Sequence, residues 1–342
     1  MKEFVIAETE QGIRLDKQLL KILDRAGTGF IYKMLRKKNI TLNGKKAEGK
    51  ERLYHGDVIR IYLSDETFEK FSSDKYTGEN TGTKSAADKE SSSGISSRII
   101  FEDEKLLLVN KPVGILSQKA AADDISINEL CLDHLINKGE LTPERLKIFK
   151  PSVCNRLDRN TSGIIIFAKD YRTNAAVNAA LKERTIHKYY LCVAEGRVEK
   201  SGIHVGYLSK DRRFNKSEIH PEPSDRSVRI ETYIRPLETA AEHTLLEIDL
   251  ITGRSHQIRA QLSELGHPLL GDKKYGGHGR GGYCLHAYKL CIPGNTEGEL
   301  KYLAGRTFTA RPPEGMGSII RDLFKVDTDA YMEQQGTPGL DT

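Results

Sequence analysis

The hydrophobic positions of the first 64 residues predict two helices followed by short strands. Positions spaced as on the buried face of a first helix are occupied by Leu15, Leu19, Ile22 and Leu23. A second helix is expected from Gly29 to Lys37. After the strand-like run 40–42 comes Asn43-Gly44, a dipeptide typical of tight hairpin turns, and a further strand is expected from Val58 to Tyr62.

Basic side chains take the positions that this pattern leaves on the outside. In the second helix Ile31, Met34 and Leu35 would form the inner face. The outer face of that helix and the hairpin after it would then carry Lys33, Arg36, Lys37, Lys45 and Lys46. The sequence therefore predicts a small module with positive charge along one edge.

The longer second part of the chain mixes strand and helix patterns. Strands are predicted at 99–101, 106–110, 164–168, 189–194, 228–234 and 245–251. Helices are predicted at 172–183, which is rich in alanine, and at 255–265. Because strands outnumber helices and do not alternate with them, the expected class is α+β with a large, mainly antiparallel sheet, not a doubly wound parallel sheet.

Two segments have too few hydrophobic residues to form a core. Residues 65–97 are rich in Ser, Thr, Gly and charged side chains, and we expect a flexible linker there. Residues 326–342 are expected to be a frayed acidic tail. These two segments divide the chain into a small module at 1–64 and a large domain at 98–325.

The net charge of +5 is distributed unevenly along the chain. Residues 13–64 hold 13 basic and 5 acidic side chains, and the large domain has a net charge of +6. The predicted linker and the tail sum to −3 and −4. Such segregation favours a polyanionic ligand over a solvated basic face without a partner.

Cysteine usage and hydropathy indicate a protein of the cytoplasm. The cysteines are an odd set without a Cys-x-x-Cys pair, namely Cys131, Cys154, Cys192, Cys284 and Cys291. Reduced thiols are the simplest interpretation, and neither a secretory leader, a membrane span nor a metal site is expected. A cysteine hydrolase built on Cys154 is the weakest alternative, because an isolated cysteine beside Val153 is typical of a small buried hydrophobe.

A first candidate for chemistry is the segment 154–163, which precedes a strongly hydrophobic strand. In it Asp158 lies between Arg156 and Arg159, among residues that form turns. Neighbouring cations favour an ionised carboxylate, as a nucleophile requires. From these residues alone, an ordinary turn with exposed arginines is an equally good interpretation.

A second candidate is the segment 250–276. Here a strand enters a Thr-Gly turn and a helix leaves it, so that Arg254 would lie near a helix N-terminus, where phosphate binds readily. We expect His256 and Arg259, three residues apart, to share one face of that helix. Gly266 and Pro268 would end the helix.

With these motifs the chain resembles the RluA-type pseudouridine synthases. Asn155 to Gly163 is similar to the catalytic motif of that family, and residues 250–276 are similar to its later motif. Further similarity lies in 110–114, 188–196 and Leu285-His286-Ala287. The chain departs from many members at Asn155 and Gln261, where those have histidine.

The first part of the chain resembles the S4-type RNA-binding domain. The resemblance covers about residues 12–63 and rests on the order of the elements, on Arg14-Leu15-Asp16 and on Gly56-Asp57. An S4-type domain before such a catalytic domain is a familiar arrangement in the family. The alternative interpretation is a small basic domain that binds no ligand.

The resemblance implies an isomerase that converts specific uridines of RNA to pseudouridine without a cofactor. Carried over from the family motifs, Asp158 would be the nucleophile, Arg259 its partner, and Tyr190 the residue that packs on the uracil and assists proton removal. RNA contacts would come from Arg156, Arg159, Arg254 and His256, and from the five cations of the small module. Whether Asp158 attacks the ribose or the base stays open.

We expect a monomer that acts on RNA, with large-subunit ribosomal RNA as the favoured substrate, and no contact with a membrane. The alternative is a non-catalytic RNA-binding or ribosome-assembly factor on the same fold. That alternative predicts damage at Asp158, Tyr190 or Arg259, whereas all three are present in intact motifs.

Overall fold

A computed structural model of the chain describes residues 1–72, 95–121, 123–211, 213–214, 216–279 and 281–332. Its α-helices are α1 (Leu15–Ile22), α2 (Thr28–Arg36), α3 (Asp65–Phe71), α4 (Ile127–Asn137), α5 (Pro143–Ile148), α6 (Tyr171–Glu183), α7 (Gln257–Glu264), α8 (Glu314–Phe324) and α9 (Asp329–Met332). Short 3-10 helices lie at Glu8–Glu10, Ser96–Arg98, Lys273–Tyr275 and Gly298–Leu303.

The strands form two separate sheets. The first sheet consists of β1 (Lys2–Val5), β2 (Ile40–Leu42), β3 (Lys45–Lys46) and β4 (Val58–Ile61). The second consists of β5 (Ile99–Glu102), β6 (Leu106–Lys111), β7 (Ser152–Val153), β8 (Ser162–Ala168), β9 (His187–Glu195), β10 (Gly202–Asp211), β11 (Lys216–His220), β12 (Val228–Thr239), β13 (His243–Asp249), β14 (Leu285–Cys291) and β15 (Thr307–Thr309).

Helices α1 and α2 pack on the small sheet, whose strands are ordered β1-β4-β2-β3 with antiparallel pairings. The core between them contains the apolar residues that predicted the two helices, and Leu15, Leu19 and Ile31 are completely buried there. Both predicted helices are therefore confirmed, each to within about one turn of its expected ends.

The large sheet is ordered β11-β10-β12-β13-β9-β14-β8-β6-β5, with β15 and β7 beside β14 and β8. In its middle β14 and β8 are parallel, and the other pairings of the described strands are antiparallel. Every residue of β8 is buried, because helices and loops cover both faces of the sheet there. The expected α+β class with a large, mainly antiparallel sheet is confirmed.

Five strands of this sheet were not predicted, namely β7, β10, β11, β14 and β15. Strand β12 also runs past Ile234, where the prediction ended, because a bulge between Pro236 and Glu238 accommodates the proline. The predicted helix at 255–265 begins later, at Gln257, because His256 has a left-handed backbone conformation.

The predicted linker is wrong at both ends. At its C-terminal end, Ile95 is buried in the core of the large domain, and Ser96–Arg98 form a short 3-10 helix. Residues 65–71 form helix α3, which caps on Ser64, and its Phe68 is buried in the core of the small module. Phe71 contacts Phe30 of α2, with ring centroids 4.1 Å apart. Two aromatic rings therefore hold a segment whose composition is otherwise polar, while residues 73–94 of the predicted linker lie outside the described residues.

The predicted tail is also wrong at its start. Residues 329–332 form α9, and Tyr331 packs with Met332 against the apolar cluster beneath α8. The Tyr331 hydroxyl donates to Glu238 at 3.1 Å. Residues 333–342 lie outside the described residues.

The small module rests on the large domain through α5 and α6. Helix α1 packs against α5, and the Glu8–Glu10 turn packs against α6. The Lys21 ammonium lies 5.3 Å from the centroid of the Phe149 ring. In the part of the chain that the structure describes, no helix has the length and apolar character that crossing a bilayer would require.

Candidate active site

A cleft of about 1160 Å³ opens above the middle of the large sheet. Its walls come from the segment 154–161, from Lys188 and Tyr190 of β9, from the turn and first residues of α7, and from 271–274 with 281–283. The two candidate segments of the sequence, nearly a hundred residues apart, therefore meet across one cavity.

The loop that carries Asp158 is held on both sides of this residue. Before it, Ser117 Oγ donates to the carbonyl of Leu157 and accepts from the Leu157 amide, both at 2.9 Å. After it, the Arg159 carbonyl accepts from the Gly114 amide at 2.8 Å. The Asp158 side chain itself is 29% exposed and faces the cleft.

The ammonium of Lys111 fixes the same loop from below. Lys111 is completely buried, and its Nζ donates to the carbonyls of Pro112, Ile115 and Arg159 at 2.9, 2.8 and 3.2 Å. Burial lowers the pKa of Lys111 to about 8, against the opposing effect of the Asp158 charge. At neutral pH the group keeps its proton and adds positive charge beneath the carboxylate.

The loop enters β8 at the parallel junction with β14. Ser162 Oγ lies 2.8 Å from His286 Nδ1, and the other ring nitrogen of His286 lies 2.9 Å from the Ala310 carbonyl. Burial lowers the pKa of His286 to about 4, so the ring is neutral. Gly163 has φ +119°, and a Cβ there would lie 2.2 Å from the Ala287 carbonyl oxygen. Only glycine permits this approach of the strands.

Arg259, in the first turn of α7, reaches Asp158 across the cleft. Its Nη1 lies 3.4 Å from Asp158 Oδ2. The same guanidinium forms a two-pronged pair with Asp272, through Nε at 2.7 Å and Nη2 at 2.8 Å. Burial alone would lower the pKa of Arg259, but the hydrogen bonds to Asp272, together with the charges of Tyr283, Asp272 and Asp158, outweigh it and raise the pKa.

Tyr190 forms part of the cleft floor on β9 and is 5% exposed. Burial, followed by the charge of Asp158, raises the pKa of its hydroxyl above the usual range. The phenol is therefore neutral near pH 7. It offers a flat apolar surface with a hydrogen-bond donor, and it is not a ready proton acceptor in the free protein.

His256 approaches the same Asp158 oxygen as Arg259 does. Its Nε2 is 3.7 Å from Asp158 Oδ2, and its Nδ1 is 2.8 Å from the Tyr275 hydroxyl. The residue is not in the helix as predicted but just before it, with φ 56° and ψ 17°. The expectation of a shared helical face is wrong, yet His256 and Arg259 both approach Asp158 because the left-handed turn redirects the histidine ring.

The other arginines predicted for this site line the rim of the cleft. Arg156, Arg159 and Arg254 are exposed there, and Arg159 is paired with Asp124 at 3.3 Å. Further lysines that were not predicted as site residues line the cleft, namely Lys182, Lys188, Lys210, Lys273 and Lys274. The cleft is thus a carboxylate surrounded by cations, as a site for a polyanion requires.

The five cations predicted on the small module lie elsewhere. Lys33, Arg36 and Lys37 are exposed on and after α2, and Lys45 with Lys46 is exposed on β3. The module contacts Tyr171 and Arg172 at the start of α6, whereas Lys182 near the end of that helix lines the cleft. At 1.5 Å per residue these two ends of α6 are about 16 Å apart.

Sequence reasoning missed Asp272, Lys111 and Tyr283 as parts of this site. Lys111 and Asp272 belong to stretches that the sequence did single out, but the contacts of all three residues depend on folding. The Tyr283 hydroxyl lies 3.0 Å from Thr161 Oγ1, across 122 positions of sequence. Asn155 and Gln261, which replace histidines of many family members, bond to the backbone at Ile164 and His204.

Two other kinds of chemistry find little support in the cleft. Cys154 lines it, but burial raises the pKa of its thiol to about 12, so it lacks the character of a nucleophile. Among the described residues, no group of three or more His, Cys, Asp or Glu side chains is arranged to hold a metal ion.

Comparison with known proteins points to a single family. The family model described as "RNA pseudouridylate synthase" matches residues 105–264. Ribosomal large subunit pseudouridine synthase C of Rickettsia felis is 31% identical over 284 residues, which cover 82% of this chain and 88% of that protein. Ribosomal large subunit pseudouridine synthase D of Nitrosomonas europaea is 26% identical over 274 residues, 80% of this chain and 72% of that protein.

Solved structures show the same fold. Human RNA pseudouridylate synthase domain containing 4 has a TM-score of 0.55 at 19% identity, covering 67% of this chain and 94% of that one. Human RNA pseudouridylate synthase domain containing 1 has a TM-score of 0.52 at 21% identity, with 71% and 96% covered. The expected synthase fold of the large sheet is confirmed by these two likenesses.

Proposed function

The chain belongs to the RluA-type family of RNA pseudouridine synthases, and on that premise we propose that it modifies large-subunit ribosomal RNA with Asp158 as its nucleophile. As a member it is an isomerase that converts uridine in RNA to pseudouridine. Family membership therefore favours an enzyme over the non-catalytic RNA-binding factor that the sequence left as an alternative.

The observation that carries the role of Asp158 is its setting. It is a partly exposed carboxylate in the cleft, on a loop held by Lys111 and Ser117, with Arg259 at 3.4 Å and Tyr190 on the floor beside it. Nearby cations favour the ionised form that attack on carbon requires. The tethered loop keeps the nucleophile in place before substrate arrives.

The reaction exchanges one bond of the base for another. The bond from ribose C1′ to uracil N1 breaks, a bond from C1′ to C5 forms, the proton on C5 leaves, and N1 gains a proton. While the base turns, Asp158 would be bonded covalently either to the ribose or to the base. Tyr190, neutral in the free protein, would pack on the uracil and orient it.

The cations on the rim support RNA as the ligand. Arg156, Arg159, Arg254 and His256 would contact the phosphates and sugars around a uridine that has left its stack. Unstacking costs a few kcal/mol, which contacts away from the reacting base must offset. The lysines around the cleft add to that surface.

We propose in addition that residues 1–64 are an S4-type RNA-binding domain, separate from a catalytic domain at 98–325. Support comes from its own core, its own four-stranded sheet and the exposure of its five cations. Helix α3 extends this module to about residue 72.

Ribosomal RNA as the substrate is supported by the names of the relatives in Rickettsia felis and Nitrosomonas europaea. Mapping pseudouridines in total RNA from cells with and without this gene tests it. We expect one or more sites to vanish from the large-subunit RNA. Loss confined to transfer RNA would overturn the choice of substrate.

The role of Asp158 is tested with the purified protein and an RNA that contains the mapped uridine. Asp158→Asn removes the charge but keeps the shape, so we expect pseudouridine formation to fall to background while RNA binding persists. The matched control is Asp133→Asn, because Asp133 is an exposed carboxylate on α4. This variant should keep full activity. More than a trace of product from Asp158→Asn would refute the assignment.

A further inference from the structure

Arg259 is shared between two carboxylates, and the buried one binds it more closely. Asp272 accepts from Nε and Nη2 at 2.7 and 2.8 Å, in the parallel fork that arginine forms with a carboxylate. Asp158 accepts from Nη1 at 3.4 Å. The residue proposed to perform the chemistry thus receives the longer and weaker bond.

Asp272 is well suited to act as a fixed anchor. It is 1% exposed, and its carbonyl accepts from the amides of Tyr275 and Gly277, both at 2.9 Å. A Cβ on Gly277 would lie 2.1 Å from the Leu269 carbonyl oxygen, so the turn around Asp272 is closed as tightly as backbone allows. Its carboxylate therefore has little freedom to follow a moving partner.

Two aromatic rings restrict the guanidinium as well. The Cζ of Arg259 lies 4.8 Å from the Tyr275 ring centroid and 4.2 Å from that of Tyr283. A guanidinium over aromatic rings is attracted to their faces, which limits its movement. The fork to Asp272 then fixes its orientation, and Nη1 is left near Asp158 at the cleft.

We propose that Asp272 is a positioning residue of the isomerisation, which anchors Arg259 so that it gives Asp158 one long hydrogen bond and does not clamp it. The inference rests on the proposed role of Asp158. A bidentate arginine engages both oxygens of a carboxylate. A nucleophilic carboxylate must keep one oxygen free to form its bond to carbon. Because Asp272 accepts the two-pronged pair, Arg259 stays near Asp158 and leaves one oxygen of Asp158 free.

The first test is Asp272→Asn, which keeps the shape and removes the charge. Without its anchor, Arg259 should turn toward Asp158. We expect the rate at saturating RNA to fall roughly 10- to 100-fold, the size of one lost charge-assisted hydrogen bond. The KM for RNA should stay within about threefold, because the RNA contacts lie on the rim.

Asp170→Asn is the matched control for this substitution. Asp170 is also a buried carboxylate, which accepts from Thr173 N and Oγ1 at 2.9 and 2.7 Å at the start of α6. Its variant should react within about twofold of the wild-type rate, since asparagine also caps helices well. An Asp272→Asn enzyme as fast as this control, or one changed in KM alone, would overturn the proposal.

A second measurement needs no turnover and no Asp272 variant. The Nε–H of Arg259 should give a slowly exchanging ¹⁵N NMR signal in the full chain, identified by its loss in Arg259→Lys. We expect the signal to persist in Asp158→Ala, because Asp272 holds that nitrogen. Its disappearance in Asp158→Ala, or its absence from the wild type, would overturn the proposal. Should the wild type form no pseudouridine, the proposed function fails while this measurement still decides the anchoring.

Discussion

His256 combines an unusual backbone with a position beside the proposed nucleophile. A left-handed conformation is uncommon outside glycine and is found where the surroundings enforce it, often at functional sites. Burial lowers the pKa of His256 below the usual range, and Arg259, Lys274 and Lys210 act in the same direction against the charge of Asp158. The ring is therefore neutral at pH 7.

This predicts a loss of rate on the acid side. Below its lowered pKa the ring gains a proton and becomes a cation 3.7 Å from Asp158 Oδ2, where it would pair with the carboxylate and weaken it as a nucleophile. The rate at saturating RNA should be level near pH 7 and fall below the usual histidine value of about 6.5. Single-turnover rates between pH 5 and 7.5 measure it. In His256→Gln that part of the decline should disappear, and identical acid limbs in the two proteins would contradict the assignment.

At the scale of elements, the junction of β8 and β14 decides whether the nucleophile loop is built correctly. The strands meet at Gly163 and Ala287, one residue after the Ser162–His286 pair. Because Asp158 lies on the segment that leads into β8, any displacement of the strand moves the loop.

Gly163→Ala should therefore destabilise the large domain by at least about 2 kcal/mol, through a close contact and a strained φ. Urea unfolding measures this loss. Gly202→Ala is the matched control, because a Cβ at Gly202 meets nothing within 4 Å, and its effect should stay within about 0.5 kcal/mol. Equal unfolding midpoints for the two variants would contradict this prediction and would show that β14 can shift away from a Cβ at position 163 at little cost.

At the scale of the whole molecule, the small module is attached to the end of α6 that is remote from the cleft. Glu10 and Lys21 are desolvated in this contact, so burial raises the pKa of Glu10 and lowers that of Lys21. The five exposed cations of the module are then free to contact RNA that extends beyond the reacting uridine. We expect them to hold the substrate without arranging the chemistry.

Replacing these five cations with glutamine should weaken RNA binding and reduce the slope of log affinity against log salt by up to about four. The rate at saturating RNA should change little, because contacts equal in ground and transition states affect KM alone. The control replaces three other cations with glutamine: Lys301 in the 3-10 helix at 298–303, Arg321 in α8 and Lys325 directly after α8. If the variant with the five replaced cations instead lost its rate at saturating RNA and kept its affinity, the module would have to be part of the active site.

Local patterns were sufficient for much of this protein. Runs of β-branched and aliphatic residues predicted β6, β8, β9 and β13, and helical spacing predicted α1 and α2, because each of these segments buries one or both of its faces. Alanine content predicted α6. The motifs around Asp158 and Arg259 were also apparent from residue types at short spacing. Strands such as β14 were missed because their polar residues are buried in pairs that the local sequence does not indicate, as His286 is with Ser162.

The partners of the site residues were decided by tertiary structure alone. Arg259 meets Asp272 and Asp158, 13 and 101 residues away, because two turns and a parallel strand junction bring them to one cleft. Similarly, two aromatic residues turn the polar start of the predicted linker into α3 by packing on a core formed elsewhere in the chain. The sequence by itself determined which segments bury apolar surface and which residues could react. The distances and relative orientations of those residues depend on long-range packing, so they required the folded chain.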